Sequence, residues 1–212
     1  MFYEPKHGHG LPWDPFKAIV APRPIGWIST LDREGRPNLA PYSYFGIAQG
    51  RPPIVSFASE GMKHTVTNAR DTGEFVFNLV TTALSDAMNL TSQALPEGRD
   101  EFLHAGLASA PCRMVQVPRV AAAPAALECR VTQFVTLLDS TGQPTDGFLV
   151  LGEVVGVHID PHYLKDGRFD TAAASPLARC GYRDYVSVDL VFELLRPDDV
   201  AAPAVARPPR RL

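Results

Sequence analysis

The sequence predicts a mainly β protein: an antiparallel Greek-key barrel, closed or partly open, carrying a few short helices. Three observations lead there. Six runs rich in β-branched and aromatic residues alternate with a period of two. Twenty prolines in 212 residues are roughly 9% against a usual value of about 5%, so the elements must be short. The helical stretches do not alternate with strands as they do in a doubly wound sheet, and no internal repeat is present.

Taken in order, the strands are expected over Ile25 to Leu31, Ile54 to Ser59, Phe75 to Val80, Leu127 to Leu138, Phe148 to Ile159 and Tyr185 to Glu193. The turn Asp32-Arg33-Glu34-Gly35 joins the first strand to a partner over Arg36 to Ala40, and Asp139-Ser140-Thr141-Gly142 opens a second hairpin-like junction. Antiparallel pairing follows from such short connections. Helices are predicted over Met62 to Asp71, stopped by Gly73, over Leu84 to Gln93, and as a short turn from Asp100 to Leu107. The length suits one domain, expected over residues 1–198, with 1–15 as an N-terminal extension. Residues 199–212, rich in Pro and Arg, are expected to form a mobile tail.

Bulk properties remove several functions. A net charge of −3 and a pI near 6.1 give no reason to expect nucleic acid or an anionic membrane as partner. No apolar run approaches the eighteen or so residues of a membrane span, and the N-terminus lacks a secretory pattern. A cytoplasmic protein is expected. Cys112, Cys129 and Cys180 form no CxxC pair, which fits reduced thiols. His7 with His9 and His158 with His162 are the candidate metal pairs; neither has ligand spacing on a helix, so no metal is expected.

Polar chemistry on otherwise apolar strands is densest between Arg23 and Asn68. In the first strand, alternation sends Ile28 and Thr30 to one face and Trp27 and Ser29 to the other. The stretch Asn38 to Phe45 then places small residues at a strand end before a polar, aromatic loop, an arrangement that lets backbone groups reach the edge of a planar ligand. Ser59-Glu60-Gly61-Met62-Lys63-His64-Thr65 runs from a strand end into a helix start. Free N–H groups, hydroxyls and a lysine meet there, a plausible phosphate site. The glycine spacing is not that of a Walker loop, which favours a monophosphate.

These pieces, PRPIGWIST, NLAPYSYF, the strand ending FAS, KHT with Asn68 and later GEFVFNLV, together resemble the flavin reductase-like, FMN-binding split-barrel family, in its flavoredoxin and two-component monooxygenase reductase branch. The resemblance extends through Asp100-Glu101-Phe102, Leu127-Glu128-Cys129, Gly152 to Val155 and Arg179 to Tyr182 with Tyr185. It implies a split β-barrel that binds FMN through Ser29, Thr30, Ala40, Pro41, Tyr42, Ser43, Ser59, Lys63 and Thr65. It implies also NAD(P)H as reductant, a homodimer in which Arg179 and Tyr185 close the site of the partner chain, and a monooxygenase as a possible recipient of reduced flavin. Two positions depart from the family pattern: His64 stands where an aspartate is common, and Gly46 where an asparagine is.

Flavin chemistry needs no protein nucleophile, and the sequence shows neither a nucleophile elbow nor a GxGxxG after a strand. Catalytic side chains are therefore not assigned. Three functions stay open: an NAD(P)H:flavin oxidoreductase, an FMN-dependent oxidoreductase with its own small substrate, and a non-catalytic FMN-binding electron carrier.

Overall fold

In a computed structural model, which describes residues 1–96 and 98–197, the strands are β1 (Arg23–Pro24), β2 (Gly26–Leu31), β3 (Pro37–Tyr42), β4 (Phe45–Gly50), β5 (Pro53–Glu60), β6 (Glu74–Leu79), β7 (Ser109–Ala110), β8 (Arg119–Val120), β9 (Ala125–Leu138), β10 (Pro144–Ile159), β11 (Leu164–Lys165), β12 (Arg168–Phe169), β13 (Leu177–Arg179) and β14 (Tyr185–Ser187). The helices are α1 (Phe16–Ile19), α2 (His64–Thr72), α3 (Ser85–Leu90), α4 (Glu101–His104) and α5 (Thr171–Ala174). The tail expected over 199–212 lies outside the described residues. Among the described residues no helix is long and apolar enough to cross a membrane.

Seven strands form the main sheet in the order β3-β2-β6-β9-β10-β5-β4, with antiparallel pairing at each step. Its two edge strands, β3 and β4, are neighbours in sequence with only Ser43 and Tyr44 between them. The sheet must therefore curl until its edges meet at that corner, where Ala58 N–H donates to the Tyr44 carbonyl at 2.8 Å. The result is a split barrel, as expected. A short sheet, β1-β13-β14, lies apart from the main sheet.

Alternation along β2 divides the core as the sequence predicts. Ile28 points into the barrel with Phe57, Phe75 and Val150, while Trp27 packs outside it with Leu39, Val80, Met88 and Phe102. Each fully buried side chain of this size contributes about 1.5–3 kcal/mol. The Trp27 indole keeps its donor satisfied, at 2.9 Å from Thr91 Oγ1. Gly152 sits at a register shift between β9 and β10. A Cβ there would lie 2.3 Å from the Phe75 ring, so only glycine lets that ring cross the strand.

Both predicted hairpin turns are closed by an aspartate that accepts from the following backbone. Asp32 Oδ1 receives the N–H groups of Glu34 and Arg36, and Asp139 Oδ1 those of Thr141 and Gln143. Three expectations change. An unpredicted strand, β4, follows the expected loop at Ser43 and Tyr44, an edge whose Gly46, Gln49 and Gly50 hide its pairing from a propensity reading. The last strand stops at Ser187 because β13, preceded by Pro176, offers only three residues to pair with. The predicted helices shorten: α2 begins at His64, α3 covers only Ser85–Leu90 after a 3-10 turn over Thr82–Leu84, and α4 is one turn.

Candidate flavin-binding cleft

The chain leaves β5 at Glu60 and reverses at Gly61, whose φ of +84° suits glycine and whose N–H donates to Asp146 at 2.8 Å. Lys63 then takes the N-cap position of α2 in extended conformation, and no side chain caps the helix. The positive end of a nine-residue helix is thus left without a protein acceptor at its cap. Lys63, His64 and Thr65 line a cleft of about 770 Å³ at this point. Among the described residues Lys63 has no carboxylate within ion-pair distance. An anion is the ligand such an end receives.

From β3 and its corner come Ala40, Pro41, Tyr42 and Ser43, and from β5 comes Ser59, all on the same cleft. Seven of the nine residues assigned from the sequence therefore meet in one place. The Ser59 hydroxyl donates to the Gly61 carbonyl at 3.0 Å, and Thr65 Oγ1 accepts from Asn38 Nδ2 at 2.8 Å. Burial pushes the Tyr42 phenol up, against the pull of its hydroxyl contacts with Thr65 and Ser59.

Ser29 and Thr30 do not line the cleft. Both are fully buried. Ser29 lies on the Trp27 face, where it donates to the Pro118 carbonyl at 2.6 Å and accepts from Asn78 Nδ2 at 3.2 Å. Thr30 lies on the other face but is covered by two amides, Asn38 at 3.3 Å and Asn68 at 3.2 Å. Asn38 joins Thr30 to Thr65, so Thr30 acts by holding Asn38 in place. The structure brings Arg179 and Tyr185 to this chain's own cleft, together with Arg23 and Tyr182. Of the two departures, His64 lines the cleft, whereas Gly46 pairs with Ser56 in β4 and does not.

Sequence reasoning missed Lys17, Glu60 and Glu101 on this cleft. The Lys17 ammonium lies 3.5 Å from Glu60 Oε1 and 5.5 Å from the centre of the Tyr44 ring, and the Tyr44 hydroxyl donates to the same oxygen at 3.3 Å. A second, more apolar hollow of about 420 Å³, walled by Phe16, Val20 and Leu137, adjoins the cleft across this group. Glu101 is 6% exposed, accepts the Leu39 N–H at 3.1 Å, and is pushed up by burial. The available signal was Asp100, whose side chain caps α4 and so turns Glu101 inward.

His158, one of the histidines considered for a metal, has its Nε2 2.5 Å from Glu128 Oε1, with Cys112 close by. The Glu128 carboxylate is already occupied: it accepts N–H groups of Arg113 at 3.0 Å, Met114 at 2.6 Å and Val115 at 3.0 Å. Burial alone would push Glu128 up, but these donors and His158 outweigh it and hold the carboxyl low. The cluster straps residues 113–115 to the barrel.

The class of the chain is defined by its fold, a split barrel whose cleft sets an uncapped helix start and a lysine beside the β3–β4 corner. Comparison with known proteins gives the family: this chain belongs to the flavin reductase like domain family, whose model matches residues 20–177. It is 41% identical to a Deinococcus radiodurans protein over 192 residues, 84% of this chain and 82% of that one. The structure of nitrilotriacetate monooxygenase component B from Bacillus cereus is similar, with a TM-score of 0.83 at 28% identity over 92% of this chain and 98% of the other. The 2-nitrobenzoate 2-nitroreductase of Pseudomonas fluorescens follows with a TM-score of 0.75 at 26% identity, over 90% and 91% of the two chains.

Proposed function

We propose that the protein is an NAD(P)H:flavin oxidoreductase that holds FMN in the cleft between the β3–β4 corner and the start of α2. The observation that carries this reading is the meeting of Ala40, Pro41, Tyr42, Ser43, Ser59, Lys63 and Thr65 on one cleft beside an uncapped helix N-terminus. Lys63 and the first-turn N–H groups of α2 would hold the phosphate, with Ser59 and Thr65 as neighbouring hydroxyls. The corner Ala40–Ser43 would take the isoalloxazine edge, since small side chains allow backbone groups to approach it. FMN, when bound, supplies the redox chemistry by accepting a hydride from NAD(P)H at N5. The chain's own task is to bind, orient and shield.

Likeness to a monooxygenase component supports transfer of reduced flavin to a separate oxygenase. Likeness to a nitroreductase, with the apolar hollow beside the cleft, supports a second reading in which a small organic substrate is reduced on the bound flavin. A second copy of the chain is the proposed partner. Leu190, Phe192 and Leu194, each at least 84% exposed, leave apolar side chains for it to cover.

The test is to load the purified protein with FMN and follow NADH and NADPH oxidation with and without excess free flavin. Steady oxidation that requires free flavin is the expected result. Oxidation sustained by a nitroaromatic instead favours the second reading. Tight FMN binding with neither nucleotide oxidised would leave an electron carrier and overturn the proposal.

A further inference from the structure

One wall of the cleft lies outside the residues proposed to hold FMN. β1, β13 and β14 set Arg23, Arg179 and Tyr185 side by side in register. Arg179 donates to the Tyr185 hydroxyl and, at 2.5 Å, to the Tyr182 carbonyl, with its guanidinium carbon 4.5 Å from the centre of the Tyr185 ring. Arg23 donates to the carbonyls of Lys17 and Val20 and, at 2.8 Å, to that of Cys180. All these acceptors are uncharged. Among the described residues neither guanidinium has a carboxylate within ion-pair distance, and Arg23 Nε is buried with no acceptor. Two positive charges are thus fixed in position without being neutralised, on a chain whose net charge is −3.

The loop beside them is rigid. It closes through Cys180 N–H on Asp184 and Asp184 N–H on Gly181, both at 2.9 Å. A Cβ on Gly181 would lie 2.3 Å from that of Ala18, so the loop is pressed against α1. Within it Tyr182 has φ of +54°, a region that a tyrosine rarely occupies. Its ring is half exposed on the cleft. Strained, over-determined residues of this kind concentrate where a ligand is clamped.

FMN carries one phosphate, and Lys63 with the α2 start accounts for it. The cations of the β1-β13-β14 sheet therefore answer to a different anion. We infer that this wall docks the nucleotide of the reductant, with Arg179, backed by Arg23, facing its phosphates and the tyrosine rings of 182 and 185 offering a face to its planar base. The inference rests on the proposed NAD(P)H:flavin reading and names the side chains that select the reductant.

The test compares reductants on the FMN-loaded protein: NADH, NADPH and 1-benzyl-1,4-dihydronicotinamide, which donates the same hydride but has no phosphate. Arg179→Met should lower the ratio of kcat/KM for NADH or NADPH to that for the benzyl compound about tenfold. Arg179→Lys should restore part of it. NAD⁺ binding, read from the flavin absorbance without turnover, should weaken by a similar factor. In the unaltered protein the KM for the nucleotides should rise with salt while that of the benzyl compound does not, a measurement independent of any variant's folding. Equal losses for all reductants, or no salt dependence, overturn the inference. A selective loss of FMN over riboflavin in Arg179→Met reassigns Arg179 to the flavin phosphate and overturns it as well. Failure of the unaltered protein to bind FMN, or to be reduced by any dihydronicotinamide, is a failure of the functional reading itself and removes this inference with it.

Discussion

Around Glu128 backbone N–H groups meet both oxygens of a buried carboxylate and an imidazole meets Oε1, whereas among the described residues the α2 start has no side-chain cap and the Lys63 ammonium no carboxylate partner. Both regions are dense in polar groups close to the barrel. One is saturated and the other is not, and saturation is what separates a structural polar cluster from a binding site. A charge compensated on each of its atoms gains little from a ligand; a cation held without an anionic partner gains more.

The largest effect should come from the saturated side. Glu128→Leu removes the acceptor of three N–H groups and the partner of His158 together, a loss of about 3–5 kcal/mol in urea unfolding. The wild type should lose the same support in acid. Because the folded state holds Glu128 low, its contribution is present above the unfolded carboxylate value and disappears as pH falls through the folded one. The mutant's acid limb should be correspondingly flatter. A Glu128→Leu protein with near-wild-type stability would show that the strap over 113–115 is dispensable, and the contrast would fail.

On the unsaturated side the expected loss is one of affinity. Lys63→Ala should weaken FMN by about 1.5–3 kcal/mol through its phosphate and riboflavin, which lacks that group, much less. Thr30→Val serves as the counterpart. It strips the acceptor from the Asn38 and Asn68 amides and should cost about 1–3 kcal/mol of stability, while the preference for FMN over riboflavin is retained. Calorimetric titration with both flavins and an unfolding curve for each variant separate the two outcomes. Equal flavin losses in Lys63→Ala would remove Lys63 from the phosphate site.

Much of this was legible in the sequence, and the division follows sequence distance. Period-two runs and aspartate turns identified the long strands, because each signal is local. Ser59, Lys63 and Thr65 could be grouped for the same reason: they lie within one strand-to-helix junction. Ser29 and Thr30 could not be sorted from them, since alternation gives a face but not what covers it, and the covering groups are at 78, 68 and 118. β4 was hidden by its glycines, and Arg179 and Tyr185, expected at the partner chain's site, could not be joined to Arg23 across more than 150 residues that only the β1-β13 ladder closes. Glu101 needed the α4 cap before it turned towards the cleft.

Glu101 supplies the smallest effect and the sharpest form of the contrast with Glu128, since both are buried glutamates shifted in opposite directions. The N–H groups of Leu39 and of Glu101 itself, with His64 nearby, do not offset the burial of Glu101, so its carboxyl is held above the usual carboxylate range. A raised carboxyl supports folding at pH values below its unfolded value, and that support is lost as pH rises through the folded one. Glu101→Gln keeps an acceptor for Leu39 and cannot ionise. Its stability should match the wild type in mild acid and exceed it progressively as pH rises towards neutrality, the reverse of the dependence expected from Glu128. Parallel unfolding curves at each pH read this difference directly. If the two proteins keep a constant gap across the range, Glu101 is ionised in the folded cleft, and it belongs with Glu128 among the saturated groups.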